Sequence, residues 1–401
     1  MSSKADTMGE KNKHALMPKL RFPEFRNDSG WEEAFLGDLV EIVSPPKKIK
    51  TSRYLREGRF PIIDQSPDVQ CGWTNDVDTL IDNPLPLIVF GDHTCVLKLI
   101  NRPFAQGADG IKIFKPKRTP STEFLYHFLC AHPLEMESYK RHFSILKGAQ
   151  IFYPEVEAEQ KKIANCLSSL DEFIANEVSK LEVLRDHKCG LMQQLFPQEG
   201  QTQPRLRFPE FRNKPGWSKC KLGDLVSISS GKSPSQYALS SDGRYPFIKV
   251  EDLNNCTKYQ VNSREYCNDA KGVVSEGALL FPKRGAAIEL NKIRITSVGI
   301  LFDTNLMAII PHDATELEFL FYYLSCVGLS QIADTSTIPQ INNKHIIPFI
   351  VYKPLRLEQQ KIADCLTATD DSIAAQEAMI DALKTHKRGL MQQLFPAPEE
   401  Q

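Results

Sequence analysis

Apolar residues recur at a 3,4 spacing along two long stretches of the chain. In the first, Leu167, Ile174 and Leu181 fall on one heptad position and Ile163, Leu170, Leu184 and Leu191 on the other. The second places Leu366, Ile373 and Ile380 beside Ile362, Leu383 and Leu390. This spacing predicts two amphipathic helices, each with a narrow apolar stripe. Pro154 and Pro354 stand just upstream, where a helix start tolerates proline, and Pro197 and Pro396 end each run. About 40 residues at 1.5 Å each make rods of roughly 60 Å. Such a stripe needs a partner, and two are open: the duplicate helix, or the globular part that precedes each rod.

Elsewhere the pattern shortens. Apolar runs at 85–90, 111–114, 247–250, 307–310 and 349–352, separated by Gly, Pro, Asn and Asp, predict strands. Residues 123–129 and 318–324 predict one short helix in each half, with Ser121 or Thr122 and Thr315 as caps. The expected fold class is α+β, two mixed α/β globular domains alternating with two long helices.

The chain also repeats itself. Residues 18–42 (PKLRFPEFRNDSGWEEAFLGDLVEI) return at 204–228 as PRLRFPEFRNKPGWSKCKLGDLVSI, and the helical stretch 159–197 returns at 358–396 with the same GLMQQLFP ending. Between these anchors the likeness survives in outline, as GRFPII at 58–63 against GRYPFI at 243–248 and EFLYHFL at 123–129 against EFLFYYL at 318–324. Two kept frames around two divergent interiors describe one device built twice for two targets. The expected boundaries are a disordered tail at 1–17, a domain at 18–153, a helix at 154–197, a linker at 198–203, a domain at 204–353, a helix at 354–396 and a tail at 397–401.

Composition narrows the function. The 401 residues are 41% hydrophobic and 25% charged, with a net charge of -1, so no global basic field draws the chain to nucleic acid or anionic lipid. Any such contact is local. No apolar run reaches the roughly 20 residues of a membrane span, and the polar N-terminus has no signal-peptide core. The ten cysteines show no CxxC pair or zinc spacing. A cytoplasmic, reduced protein is expected.

Catalytic motifs fail one by one. The run from Ser229 to Ser233 ends like a phosphate loop, but Val226 stands where its first glycine belongs. Asp92, His93, Thr94 and Cys95 could make a nucleophile–base pair, yet the matching stretch of the second half reads Phe281-Pro282-Lys283-Arg284. His187 and His386 recur on the predicted helices among basic residues, as solvated side chains would.

Local cations remain. Residues 44–153 hold 15 Lys and Arg against 11 Asp and Glu, and 229–353 hold twelve of each. Lys47, Lys48, Lys50 and Arg53 cluster after two prolines, and Lys283-Arg284 follows a predicted strand. Cations placed so can meet phosphates, or can simply be solvated. SILKGAQI (144–151) and TSTIPQI (335–341) align Gln150 with Gln340; glutamine can bond an adenine edge or cap a turn.

The duplicated RFPEFR…GW…LGDLV opening, the EQ-K/Q-KIA-x-CL helix start and the GLMQQLFP helix end resemble the specificity subunit of type I restriction–modification systems, from Pro18 to Pro396. That resemblance implies two target recognition domains, each reading one half of a bipartite asymmetric DNA site, on an antiparallel coiled coil that sets the gap. It implies a non-catalytic chain without a cofactor of its own. The partners would be double-stranded DNA, two modification subunits binding S-adenosylmethionine, and restriction subunits using ATP and Mg. The candidate DNA contacts are Lys47, Lys48, Lys50, Arg53, His93, Lys147 and Gln150 in the first domain, and Lys232, Ser233, Lys283, Arg284, Gln340, Asn342 and Lys344 in the second. The alternative is a coiled-coil protein scaffold that never meets DNA.

Overall fold

The computed structural model describes residues 17–82, 84–108, 110–136, 141–335 and 338–396; the expected tails, Met17 apart, lie outside them. Two compact units divide the chain, Met1–Val178 with Ala378–Gln401, and Ser179–Glu377. The dividing points fall inside the two long helices, Glu157–Leu195 and Arg356–Leu394, of 39 residues each. At 1.5 Å per residue each is about 58 Å long.

In the first unit Val40–Ile42, Ile111–Pro116, Leu87–Gly91 and Leu97–Ile100 form an antiparallel sheet in that order. A smaller mixed sheet runs Gly72–Thr74, Phe60–Ile63, Phe104–Gln106, Leu80–Ile81, with a parallel pair at its centre. A ribbon of Glu32–Phe35 against Gln150–Tyr153 closes the domain. The second unit repeats the plan. Val226–Ser230, Leu306–Pro311, Leu279–Pro282 and Arg294–Thr296 make its large sheet, Tyr266–Cys267, Tyr245–Ile248 and Leu301–Phe302 its small one, and Ser218–Lys221 with Ile350–Lys353 its ribbon. One strand differs: Tyr259–Gln260 extends the large sheet, where the first unit's Leu80–Ile81 joins the small one. Apart from that strand, the divergent interiors share a topology. The expected strand at 247–250 is displaced, its last residue opening the 3-10 turn Val250–Asn254.

Each unit has one buried short helix, Thr122–Ala131 or Leu317–Val327. Ser121 caps the first, its hydroxyl accepting from the Phe124 amide at 3.3 Å. Thr315 does not cap the second. The capping position is Glu316, whose amide instead donates to the Gln359 side chain at 2.9 Å.

The apolar stripes of the long helices serve two purposes. Ile163 and Leu167 lie in the first unit's core with Trp31, Leu36 and Phe128, and Ile362 and Leu366 lie in the second unit's core with Trp217, Leu222 and Phe319. The LFP helix ends enter cores as well. Phe395 meets Phe124 and Phe128, both at 5.5 Å between ring centres, and Phe196 meets Phe319 and Tyr323, both at 5.8 Å. Between these ends the helices pack on one another: Lys387 pairs with Asp171 in the first unit, and Arg185 with Glu377 and Lys188 with Asp370, each at 2.6 Å, in the second. The descending partner numbers make the second unit's pairing antiparallel. Leu181 and Ile380 are buried, and Leu170, Ile174, Leu184, Ile373 and Leu383 half-buried, as two helices side by side leave their seam.

Two consecutive residues fasten the start of each rod. Glu159 receives Arg21 through both carboxylate oxygens at 2.7 Å, and Glu358 receives Arg207 at 2.7 and 2.6 Å. The remaining guanidinium donors satisfy the Asp28 and Ser29 carbonyls in one unit and those of Lys214 and Pro215 in the other. Both carboxylates are almost fully buried. Gln160 and Gln359 then accept from the amides of Ser121 and Glu316, and donate to the Pro154 and Pro354 carbonyls.

Two turns or more further along the rod, the short helix meets it differently in each unit. His127 shares a 3.0 Å hydrogen bond with Ser168. Its other ring nitrogen is buried with no partner among the described residues. Burial, aided by the Lys387 charge and opposed by Asp171, pushes its pKa down to about 4. The matching Tyr322 donates to Asp370 at 2.6 Å and accepts from the buried Lys258 ammonium at 2.9 Å.

Two outcomes follow. Arg21→Ala strands a buried carboxylate and should destabilise the first unit by about 3–5 kcal/mol in urea unfolding, while replacing Arg21 and Glu159 together by methionine should recover most of the loss. His127 is neutral in the folded chain and ordinary when unfolded, so the unfolded chain takes the extra proton between pH 6.5 and about 4. Stability therefore drains as pH falls through that window, by up to about 1.4 kcal/mol per unit. His127→Asn should lose less than the parent over the same interval, and equal losses would refute this assignment.

Candidate nucleic-acid interface

The candidate residues of each unit gather mainly in loops at one end of its paired sheets. In the first unit the 47–53 segment is held to the end of the strand Phe104–Gln106 by the Ile49 amide, which donates to the Gln106 carbonyl at 2.9 Å. Tyr54, just past the turn Thr51–Arg53, accepts from the Ala108 amide at 2.9 Å. Gly107 makes this approach possible, since a Cβ there would lie 2.3 Å from the Tyr54 hydroxyl. The loop after Leu87–Gly91 joins the same end: the Asp92 amide donates to Gly110, and the Thr94 hydroxyl to the Gln65 carbonyl, both at 2.7 Å.

Lys47, Lys48, Lys50 and Arg53 line one cavity of about 510 Å³, with Ile49 and Leu55 as apolar wall and Thr74, Asn75 and Asp76 opposite. Asp76 lies 4.0 Å from Lys47 and is the one carboxylate in that lining. A second recess joins Lys47 and Lys48 to Gln106 and Lys112. Cations on a concave wall with amide and hydroxyl groups nearby can hold an anionic, hydrogen-bonding polymer.

The Asp92–His93 pair is not a catalytic one. The Asp92 carboxylate accepts the Phe143 amide at 2.8 Å and its carbonyl the His142 amide at 2.9 Å, so it pins the turn Phe143–Leu146. His93 sits half-buried on the interface loop. Lys147 is exposed beyond that turn, its ammonium 6.0 Å from the Phe143 ring. Gln150 lies on the ribbon, paired in register with Phe35 and donating to Glu33 at 2.9 Å.

In the second unit the Lys232 amide donates to the Phe302 carbonyl at 3.0 Å, the Lys283 amide to Asn305 at 2.7 Å and the Ile341 amide to Lys283 at 2.9 Å. Lys232, Lys283, Arg284 and Gln340 are thereby brought to one loop cluster, with Arg284 and Gln340 bridged across it. Ser233 precedes the turn Pro234–Gln236; its hydroxyl bonds that of Ser235 at 2.8 Å. Asn342 and Lys344 sit exposed at the turn Asn343–Ile346. Burial and the Arg284 charge lower the Lys283 pKa.

The alignment of Gln150 with Gln340 is corrected by the strand ladders. Phe35 faces Gln150 and Lys221 faces Ile350, so the counterpart of Gln150 is Ile350. Sequence reasoning also passed over Gln65, whose buried side-chain oxygen has no partner among the described residues, and Lys98, whose ammonium holds the Asp64 and Asp68 carbonyls and so shapes the neighbouring loop. Neither has a local motif to announce it.

Among the described residues no group of three His, Cys, Asp or Glu could hold a metal ion, and no helix is long and apolar enough to cross a membrane.

Known proteins resemble this chain in sequence and in fold. The specificity subunit of type I restriction enzyme MjaIX from Methanocaldococcus jannaschii is 25% identical over 51% of this chain and 51% of its own length. A putative MjaX specificity subunit from the same organism is 26% identical over 62% and 59%. The chain thus spans between half and three-fifths of the length of these relatives. The solved S subunit of a type I restriction–modification system from M. genitalium has the same fold, with a TM-score of 0.64 and 16% identity over 96% of this chain and 100% of that one. Residues 28–185 and 214–385, most of both repeats, match the type I restriction modification DNA specificity domain, and the chain belongs to that family.

Proposed function

We propose that the chain is the sequence-specificity subunit of a type I restriction–modification complex and binds double-stranded DNA without catalysing a reaction. The domains at 18–153 and 204–353 each read one half of a bipartite, asymmetric site, and the long helices set the gap between the halves. Two modification subunits, which carry S-adenosylmethionine, and restriction subunits, which use ATP and Mg, assemble on the chain in the cytoplasm. The observation that carries this reading is the pairing of one sheet topology with two unlike sets of loop ends. A duplicated scaffold with unequal tips suits two unequal half-sites, whereas a symmetric protein clamp has no need of the inequality.

The distance argument agrees. Half-sites about one turn of B-DNA apart, roughly 34 Å, are within reach of rods of about 58 Å. Co-expression with its modification subunit in a methylation-deficient host should produce N6-methyladenine in a split motif of fixed gap. Removing four residues within 170–181 should alter or abolish recognition at that gap and leave the half-sites as they were. A stable complex with no methylation would favour the scaffold, and an unchanged gap in the shortened chain would refute the ruler.

A further inference from the structure

The backbone ladders allow the two interface loops to be superposed residue by residue. In the small sheets Ile63 pairs with Gln106 and Ile248 with Phe302, each in a parallel register. The Ile49 amide donates to Gln106 and the Lys232 amide to Phe302, so buried Ile49 and half-buried Lys232 hold the same place. The turns Thr51–Arg53 and Pro234–Gln236, each closed by the amide of a following tyrosine, keep the same offset.

The four cations of the first loop can then be followed across. Where the first unit has Lys47, Lys48, Lys50 and Arg53, the second has Ser230, Gly231, Ser233 and Gln236, all neutral. The fold enforces part of this difference. A Cβ at Gly231 would lie 1.9 Å from the Asp303 carbonyl oxygen, so no lysine could stand there without moving the backbone. Apart from Lys232, which takes the place of Ile49, the second unit's cations sit elsewhere, Lys283 and Arg284 occupying the places of Asp92 and His93 on the loop after the central strand. Lys283 is half-buried, and its ammonium reaches the Ser230 hydroxyl at 3.4 Å. Nearby cations are tied to acids, Lys249 to Glu265 at 2.5 Å and Arg264 to Asp252 at 2.9 Å.

We infer that the 47–53 segment of the first unit is a cradle for the sugar-phosphate backbone that the second unit lacks, so that the two half-sites contribute unequally to the salt dependence of DNA binding. The inference rests on the DNA-reading function proposed above. Each lysine or arginine set against a phosphate releases counterions and steepens log K against log salt by about 0.9, whatever the base sequence. The first unit offers four such groups around a cavity with one opposing carboxylate. The second offers fewer, and one of them is partly spent on Ser230. Its neutral serine and glutamine positions leave room for contacts that salt does not screen.

The test uses the full chain co-purified with its modification subunit and a duplex carrying the mapped site, with binding measured from 50 to 300 mM salt. Replacing Lys47, Lys50 and Arg53 by glutamine should flatten the slope by about two to three units and weaken cognate and non-cognate duplexes alike. Lys283→Gln with Arg284→Gln should flatten it by about one unit or less. Ser233→Lys with Gln236→Arg, which grafts the cations onto the second loop, should steepen it by about one to two units. Equal flattening by the two neutral sets, or no steepening by the graft, would overturn the cradle while leaving DNA recognition intact. A parent complex with no salt-dependent affinity for the duplex would instead overturn the DNA reading itself, and the cradle with it.

Discussion

The bidentate pairing of Arg21 with Glu159, repeated by Arg207 with Glu358, is the constraint on which the remaining architecture hangs. A carboxylate removed from water costs several kcal/mol unless its lone pairs are met, and here two guanidinium donors meet them. That requirement fixes the opening segment against the first turn of the rod. The next residue adds a second fixation, because Gln160 and Gln359 bond the backbone at the start of the short helix and at the proline before the rod. Opening segment, short helix and rod thus converge on two adjacent side chains. Within each unit this junction ties the rod to its own domain at two neighbouring points.

The far end of each rod is fixed by packing instead of charge. Phe395 lies among Trp31, Phe124 and Phe128, and Phe196 among Trp217, Phe319 and Tyr323, in edge-on and tilted contacts. Each unit thereby takes its core from two distant parts of the chain. The first rod begins in one unit's core and ends in the other's, and the second does the reverse. The repeated EQ and LFP motifs are these two kinds of junction, which is why they survive in both copies while the strands between them differ in sequence.

Much of this was legible in the letters, and what was not has physical reasons. The heptad stripe announces that one helix face is covered but not by what. Ile163, Leu167, Ile362 and Leu366 are covered by domain cores, and only the stretch between belongs to a helix seam. The basic cluster at 47–53 stood out by composition, and the cavity gathers all four of its members. The match of Gln150 with Gln340 rested on letters and failed, because strand register is decided by backbone pairing that side-chain identity does not report. Thr315 looked like a cap, but the helix begins one residue later, with Glu316 at the capping position and its amide held by a glutamine 43 residues away. Contacts of that range leave no local trace.

The unequal tips follow from the same division of labour. Since the junctions and sheets carry the stability, the loop ends are free to change charge without unseating the core, and they have done so in opposite senses. Asp92 in one unit and Lys283 in the other stand at one ladder position, each holding the turn before the ribbon through its backbone carbonyl. The backbone role is kept while the side-chain charge reverses. The Asp92 carboxylate also accepts the Phe143 amide, so the exchange gives up one side-chain bond while the main-chain bond to the turn remains. Such positions at the ends of the paired sheets are where two copies of one fold can come to differ in what they bind.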